Sequence, residues 1–351
     1  MQKILLTLFA AIFLFTALNS QTDDFDYQSY TNKRIADRLY NKAVDEIQRG
    51  DYYGALSHLD TVIKLQPLYS RAFLEKGKIY FTKERKQDAL AEFAKVLDYE
   101  PNNGEAIFLQ SYVLFTQDTA SVTSDDFNRA IQDGYKQPEA YYYRGLLLLL
   151  EKKYNDAIAD FTLAIDGRPN YAKAFHDRGT AKRLLGDYQG AIYDYRLAVT
   201  YDPSFTMAYI NMGDTKKWLG DFQGAVQDYT SALAIDSTNY EAYNNRGGAE
   251  FILGNYTDAE NDYKKALALD PESPAVESNM GNVLAKSGDY QTAMDWYNKA
   301  IEQDPDYAYA YLNRGLTHEL LGMLTEACAD WQKASDLGSS EATGYLKECN
   351  K

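Results

Sequence analysis

Residues that carry chemistry are scarce in this chain of 351 residues, which holds three histidines and two cysteines. His58, His176 and His318 stand at different phases of the repeat described below, so simple stacking brings no metal-ligand set together. There is no glycine-rich phosphate loop, no nucleophile signature and no pair of carboxylates at a fixed catalytic spacing. Neither an enzymatic activity nor a cofactor is therefore expected. Positive charge is also short, with 36 Lys and Arg against 51 Asp and Glu and a net charge of −15. That balance argues against nucleic acid or an anionic membrane surface as the main partner. The one long apolar run, residues 4–18, has 15 residues and is too short for a comfortable membrane span. With Lys3 ahead of it and Asn19-Ser20 behind, it reads as a signal segment over residues 1–20, cleaved after Ser20, with no cysteine nearby to accept a lipid. Loss of Lys3 takes the net charge from −15 to −16. The mature chain is expected to be exported, periplasmic or secreted, without a membrane span.

What the sequence does have is a ladder of glycines at Gly145, Gly179, Gly213, Gly247, Gly281 and Gly315, each 34 residues after the last. Glycine inside a helix costs about 0.5–1 kcal/mol relative to alanine, so each must permit a contact that a side chain would block. Other positions repeat in the same register. An aromatic stands at Tyr141, Phe175, Tyr209, Tyr243 and Tyr311, with Glu277 as the exception. A second glycine recurs at Gly186, Gly220, Gly254, Gly288 and Gly322. Alanine recurs from Ala157 to Ala327, a large aromatic from Phe161 to Trp331, and a second alanine from Ala164 to Ala334. Pro169, Pro203, Pro271 and Pro305 close their units, and Ser237 stands in once. Most of the 31 tyrosines are expected to fill such packing slots.

These spacings predict two short helices per unit. In the first, the aromatic, the residue before the ladder glycine, the glycine itself and the residue three beyond share one buried face. The second glycine suits a left-handed helix terminus, and Asp187, Asp221 and Asp289 directly after it suit the next N-cap. Alanine, aromatic and alanine at i, i+4 and i+7 form the apolar stripe of the second helix, which proline ends.

The pattern resembles the tetratricopeptide repeat. The resemblance implies an all-α, right-handed superhelical solenoid, with first helices lining the concave side. Extending the register gives nine units at 36–69, 70–103, 104–137, 138–171, 172–205, 206–239, 240–273, 274–307 and 308–341. Residues 21–35 read as a polar, loose lead-in, and the segment from Glu341 onward, ending over 342–351, as a capping helix. Glu84 and Lys86 occupy the corner of the second unit, which is expected to be tight or irregular. The third unit departs most, with Ser111, Asp118 and Thr123 in the glycine and alanine slots. A longer loop over 116–124 is expected there, with Ser124 or Asp125 as N-cap; it is either a hinge or binding loop or a decayed repeat.

Asn211, Asn245, Asn279 and Asn313, spaced by 34, fall on the first helices away from the packed face, with Asn41 at the same phase. A side-chain amide offers a donor and an acceptor together, as an extended peptide backbone requires. Duplication carrying an unused asparagine along is the other reading. Arg183 and Lys217 share a phase that borders the same groove. Cys349 lies one period after Gly315 and Cys328 follows Ala327, so a disulfide between them is expected in an exported chain; the alternative is two reduced, buried thiols. A monomeric scaffold for protein–protein interaction or complex assembly follows, binding a protein or peptide segment in the groove. The alternatives are a carbohydrate or cell-wall binder using exposed aromatics such as Tyr142 and Trp218, and a structural element that self-associates end to end.

Overall fold

The computed structural model describes residues 28–349. The expected signal segment and the first part of the lead-in lie outside the described residues. Helix α1 covers residues 28–48 and so begins inside the stretch expected as a loose lead-in. Its apolar anchors Ala36, Tyr40 and Ala43 are buried, and extending an existing helix through polar residues is far easier than nucleating one.

The described residues form two compact units that divide between Gly167 and Arg168. In the first, α1 is followed by α2 (Tyr52–Leu65), α3 (Ser70–Thr82), α4 (Lys86–Tyr99), α5 (Gly104–Gln117), α6 (Ser124–Gln132), α7 (Pro138–Leu150) and α8 (Tyr154–Gly167). The second contains α9 (Ala172–Leu184), α10 (Tyr188–Tyr201), α11 (Thr206–Trp218), α12 (Phe222–Ile235), α13 (Tyr240–Ile252) and α14 (Tyr256–Leu269). It continues with α15 (Pro274–Lys286), α16 (Tyr290–Gln303), α17 (Ala308–Leu320), α18 (Leu324–Asp336) and α19 (Ser340–Cys349). Within each unit consecutive helices pack as hairpins, and no strand occurs among the described residues. This is an all-α solenoid of helix pairs.

The glycine ladder explains the hairpins. A Cβ on Gly213 would stand 2.8 Å from the ring of Tyr229, and one on Gly247 2.8 Å from Tyr263. The aromatic of each second helix therefore lies directly on the first helix's backbone. Tyr195, Tyr229 and Trp331 are fully buried there, as are the alanines from Ala157 to Ala327. Full burial of one such ring contributes roughly 1.5–3 kcal/mol. Where Glu277 replaces the first-helix aromatic, its buried carboxylate meets the Lys299 ammonium at 2.6 Å. One repeat to either side, Lys265 and Lys333 lie over the rings of Tyr243 and Tyr311 instead, so an ion pair takes the place of a cation–π contact.

Corners follow one geometry. Gly186, Gly220, Gly254, Gly288 and Gly322 all have positive φ, and Asp187, Asp221 and Asp289 accept the backbone N–H three residues on. The second repeat's corner is regular after all: Glu84 takes φ 58°, as Lys152 takes φ 60° in the fourth repeat. In the third repeat α5 runs to Gln117, a 3-10 turn covers Thr119–Ser121, and α6 starts one or two residues earlier than expected. Its cap is Thr123, not Ser124 or Asp125, because the Asp126 carboxylate accepts both the Thr123 N–H at 2.8 Å and its hydroxyl at 3.0 Å.

Helix α19 closes the second unit. Ala342, Tyr345 and Leu346 cover Trp331 and Ala334, with the Tyr345 ring stacked 5.1 Å from that of Trp331. A disulfide joins Cys328 to Cys349, whose Cα atoms are 5.8 Å apart.

Candidate functional site

In the second unit the first helices α9, α11, α13, α15 and α17 lie side by side. Burying one face against the second helices leaves the other as a continuous surface, and this is where the four asparagines sit, each half-buried. Their amide N–H groups reach the preceding first helix. Asn211 Nδ2 bonds His176 Nε2 at 2.8 Å, Asn279 donates to Asn244 Oδ1 at 2.9 Å, and Asn313 to Ser278 Oγ at 3.4 Å. Asn245 donates to Asp214 at 3.2 Å and accepts from Lys217 Nζ at 3.2 Å. The amides therefore stitch neighbouring repeats with their donors, while the side-chain carbonyls of Asn211, Asn279 and Asn313 accept no hydrogen bond among the described residues.

Lys217 also stands 3.8 Å from Asp214 and over the Tyr229 ring, so it belongs to this network. Tyr229 donates to Asp214 at 2.5 Å; burial, then that carboxylate's charge, pushes its phenol pKa well up. Arg183 instead lies by Tyr195, and its Nε is buried without a hydrogen-bond partner. Burial raises the Tyr195 pKa too, opposed by Thr180 and Arg183. Of the two aromatics expected to be exposed, Trp218 is 70 % exposed with the Tyr188 ring 4.3 Å away, but Tyr142 is only 6 % exposed. The expectation fails for Tyr142 because it packs on Tyr143 and Phe161 in the core of its own unit.

A pocket of about 240 Å³ opens on the same surface between α13, α15 and α17. Phe251, Ala285, Leu316 and Leu320 supply its apolar wall. Asn282, Lys286 and Asn313 supply polar groups.

Three family models match this sequence: a TPR repeat over residues 281–322, a tetratricopeptide repeat over 240–273, and a further tetratricopeptide repeat over 40–117 and 125–172. The chain is a tetratricopeptide repeat protein. Among solved structures, one from the APC/C hetero-tetramer Cut9–Hcn1 is 19% identical with TM-score 0.53, over 84% of this chain and 58% of that one. Pseudomonas aeruginosa pilF is 20% identical with TM-score 0.51, over 60% of this chain and 97% of its own. MamA is 28% identical over 47% of this chain and 96% of its own, with TM-score 0.42. No curated protein matches. Tetratricopeptide repeat proteins are in general non-enzymatic scaffolds that bind protein partners.

Charged pairs run through this tetratricopeptide array as well as apolar ones. The residue before the ladder glycine, expected on a plainly packed face, is Arg144, Arg178, Arg246 or Arg314 in four repeats. Each pairs with the aspartate before the second-helix aromatic: Arg144–Asp160 at 2.6 Å, Arg178–Asp194 at 2.8 Å, Arg246–Asp262 at 2.7 Å and Arg314–Asp330 at 2.6 Å. Arg144, Arg246 and Arg314 also donate to the preceding second helix, at Asn128, Thr230 and Asn298. Each of these three thus bridges both neighbouring second helices. The signal was the 34-residue recurrence of Arg-Gly and of Asp-aromatic. Two of the histidines join related contacts, His318 with Asp330 at 3.0 Å and His58 with Glu46 at 2.8 Å.

Proposed function

We propose that this chain is an exported tetratricopeptide scaffold that holds an extended segment of a protein partner on the first-helix face of its second unit. The observation that carries this reading is the column of amides beside the apolar pocket on one exposed surface. Carbonyls of Asn211, Asn279 and Asn313 are available to backbone N–H groups, Arg183 and Lys217 border the same face, and neighbouring side chains select sequence. Export is supported by the composition of residues 1–20 and by the Cys328–Cys349 disulfide, since such bonds persist in oxidising compartments. With α19 covering the last apolar face, the array acts as a monomer rather than by end-to-end self-association, which light scattering of the mature chain checks.

Exposed Trp218 favours a second reading, carbohydrate binding, but Tyr142 lends it no support. The test is capture of partner from the protein's own compartment by the mature chain and by a variant with Asn211, Asn245, Asn279 and Asn313 all changed to alanine. At least a tenfold loss of affinity for the captured protein is expected. Unchanged affinity removes the groove reading, and retention of polysaccharide but no protein favours the carbohydrate reading.

A further inference from the structure

Four residues beyond each ladder glycine, the first helices of the second unit carry Arg183, Lys217, Phe251, Ala285 and Glu319. Only Ala285 is small. Its short side chain is what leaves the pocket open between Phe251 on α13 and Leu316 and Leu320 on α17. At about 240 Å³ the pocket lies below the range of roughly 300–1,000 Å³ usual for small-molecule sites, and it suits one side chain. Its polar groups are set by hydrogen bonds behind them. Asn282 Oδ1 accepts from the Tyr297 hydroxyl at 2.8 Å, which turns its NH2 group away from that bond. Asn313 gives its NH2 group to Ser278, which leaves its carbonyl as acceptor. A donor and an acceptor at one pocket match the C=O and N–H of a peptide backbone. Exposed Lys286 has no carboxylate within ion-pair distance among the described residues, in a chain of net charge −15.

We propose that this pocket is the specificity site for the bound segment: it takes one large apolar side chain, Leu, Met or Phe, whose backbone Asn282 and Asn313 hold, while Lys286 pairs with an Asp or Glu within two residues of it. This rests on the peptide-binding reading above and adds the chemistry of the partner. One acidic residue beside the apolar one is favoured because no carboxylate among the described residues pairs with the ammonium at the rim, and an extended chain rises about 3.3 Å per residue, which brings a near neighbour's carboxylate within its reach.

The test uses the full mature chain and an immobilised library of nonapeptides with randomised positions. The wild type is expected to retain peptides enriched in Leu, Met or Phe at one position, with Asp or Glu within two residues. Ala285→Trp fills the pocket; it should abolish the apolar preference and weaken binding of a selected peptide at least tenfold. Lys286→Glu, a change at an exposed position, should replace the acidic preference with Lys or Arg. Retention without an apolar or acidic preference, or the same selection by Ala285→Trp and Lys286→Glu, overturns this proposal and leaves the groove reading standing. Retention of no peptide by the wild type overturns both.

Discussion

At the scale of single residues, backbone and side chain trade places in a way the contacts make explicit. Because Gly247 lies against Tyr263, Gly247→Leu should overpack the hairpin and cost about 1–3 kcal/mol, measured by denaturant unfolding. A Gly247→Leu protein of unchanged stability would show that the ring does not rest there. The opposite trade holds at the corners. Lys152 has φ 60°, a left-handed conformation that costs a residue with a Cβ about 1–2 kcal/mol. Glycine carries its own entropic cost of about 0.5–1 kcal/mol, so Lys152→Gly is expected to gain a few tenths to about 1 kcal/mol. A rise in midpoint denaturant concentration at constant slope is the readout.

At the scale of helices, the bridges of Arg144, Arg246 and Arg314 each hold three elements at a time. Arg246 touches Asp262 on α14 and Thr230 on α12, and both members of the pair are largely buried. Removing one partner leaves a buried charge, so Arg246→Met should cost about 3–5 kcal/mol. One period later the chain carries Met280 and Trp296 in the same two places. The double variant Arg246→Met with Asp262→Trp copies that pair and is expected to recover most of the loss; a double-mutant cycle with no coupling would contradict it. At the far end, the disulfide spans 21 residues, for which the chain-entropy estimate is roughly 3 kcal/mol. Cys349→Ser should let α19 fray, seen as faster amide exchange over that helix with little change in α13 or α15, since repeats couple to their neighbours only.

At the scale of the whole chain, the two units differ in what fills the second-helix slot: Leu59, Phe93, Phe127 and Phe161 in the first, and the four tyrosines Tyr195, Tyr229, Tyr263 and Tyr297, then Trp331, in the second. Burial raises all four phenol pKa values, that of Tyr297 to about 12. A phenol whose folded pKa exceeds its unfolded value near 10 contributes stability that is full below about pH 10 and is lost as pH rises toward 12. Alkaline unfolding of the second unit is therefore expected in that range, with Tyr69 and Tyr135 acting the same way in the first. Changing the four slot tyrosines to phenylalanine should flatten the loss, followed by circular dichroism against pH. The four-asparagine variant should lose about 1 kcal/mol of stability in all, because each lost bond of about 0.5–1.5 kcal/mol is only partly offset by a helix-propensity gain of up to about 0.7 kcal/mol. Much of the fold was legible in the sequence because its contacts repeat with the chain: ladder glycine and aromatic lie 16 residues apart, as do arginine and aspartate, and the same pair returns 34 residues on. The Arg–Asp bridge is equally periodic, but its members are charged and so fall outside the apolar pattern that marks the helix faces. By itself the sequence determined the helix pairs, their corners and the row of asparagines. Only the tertiary structure decided that the asparagine donors are spent on the preceding repeat, that Tyr142 is buried, and that Ala285 opens a pocket. Each of these depends on what the neighbouring helices place opposite a residue, and a pocket is a shortfall of side-chain volume across three helices that a one-dimensional pattern does not record.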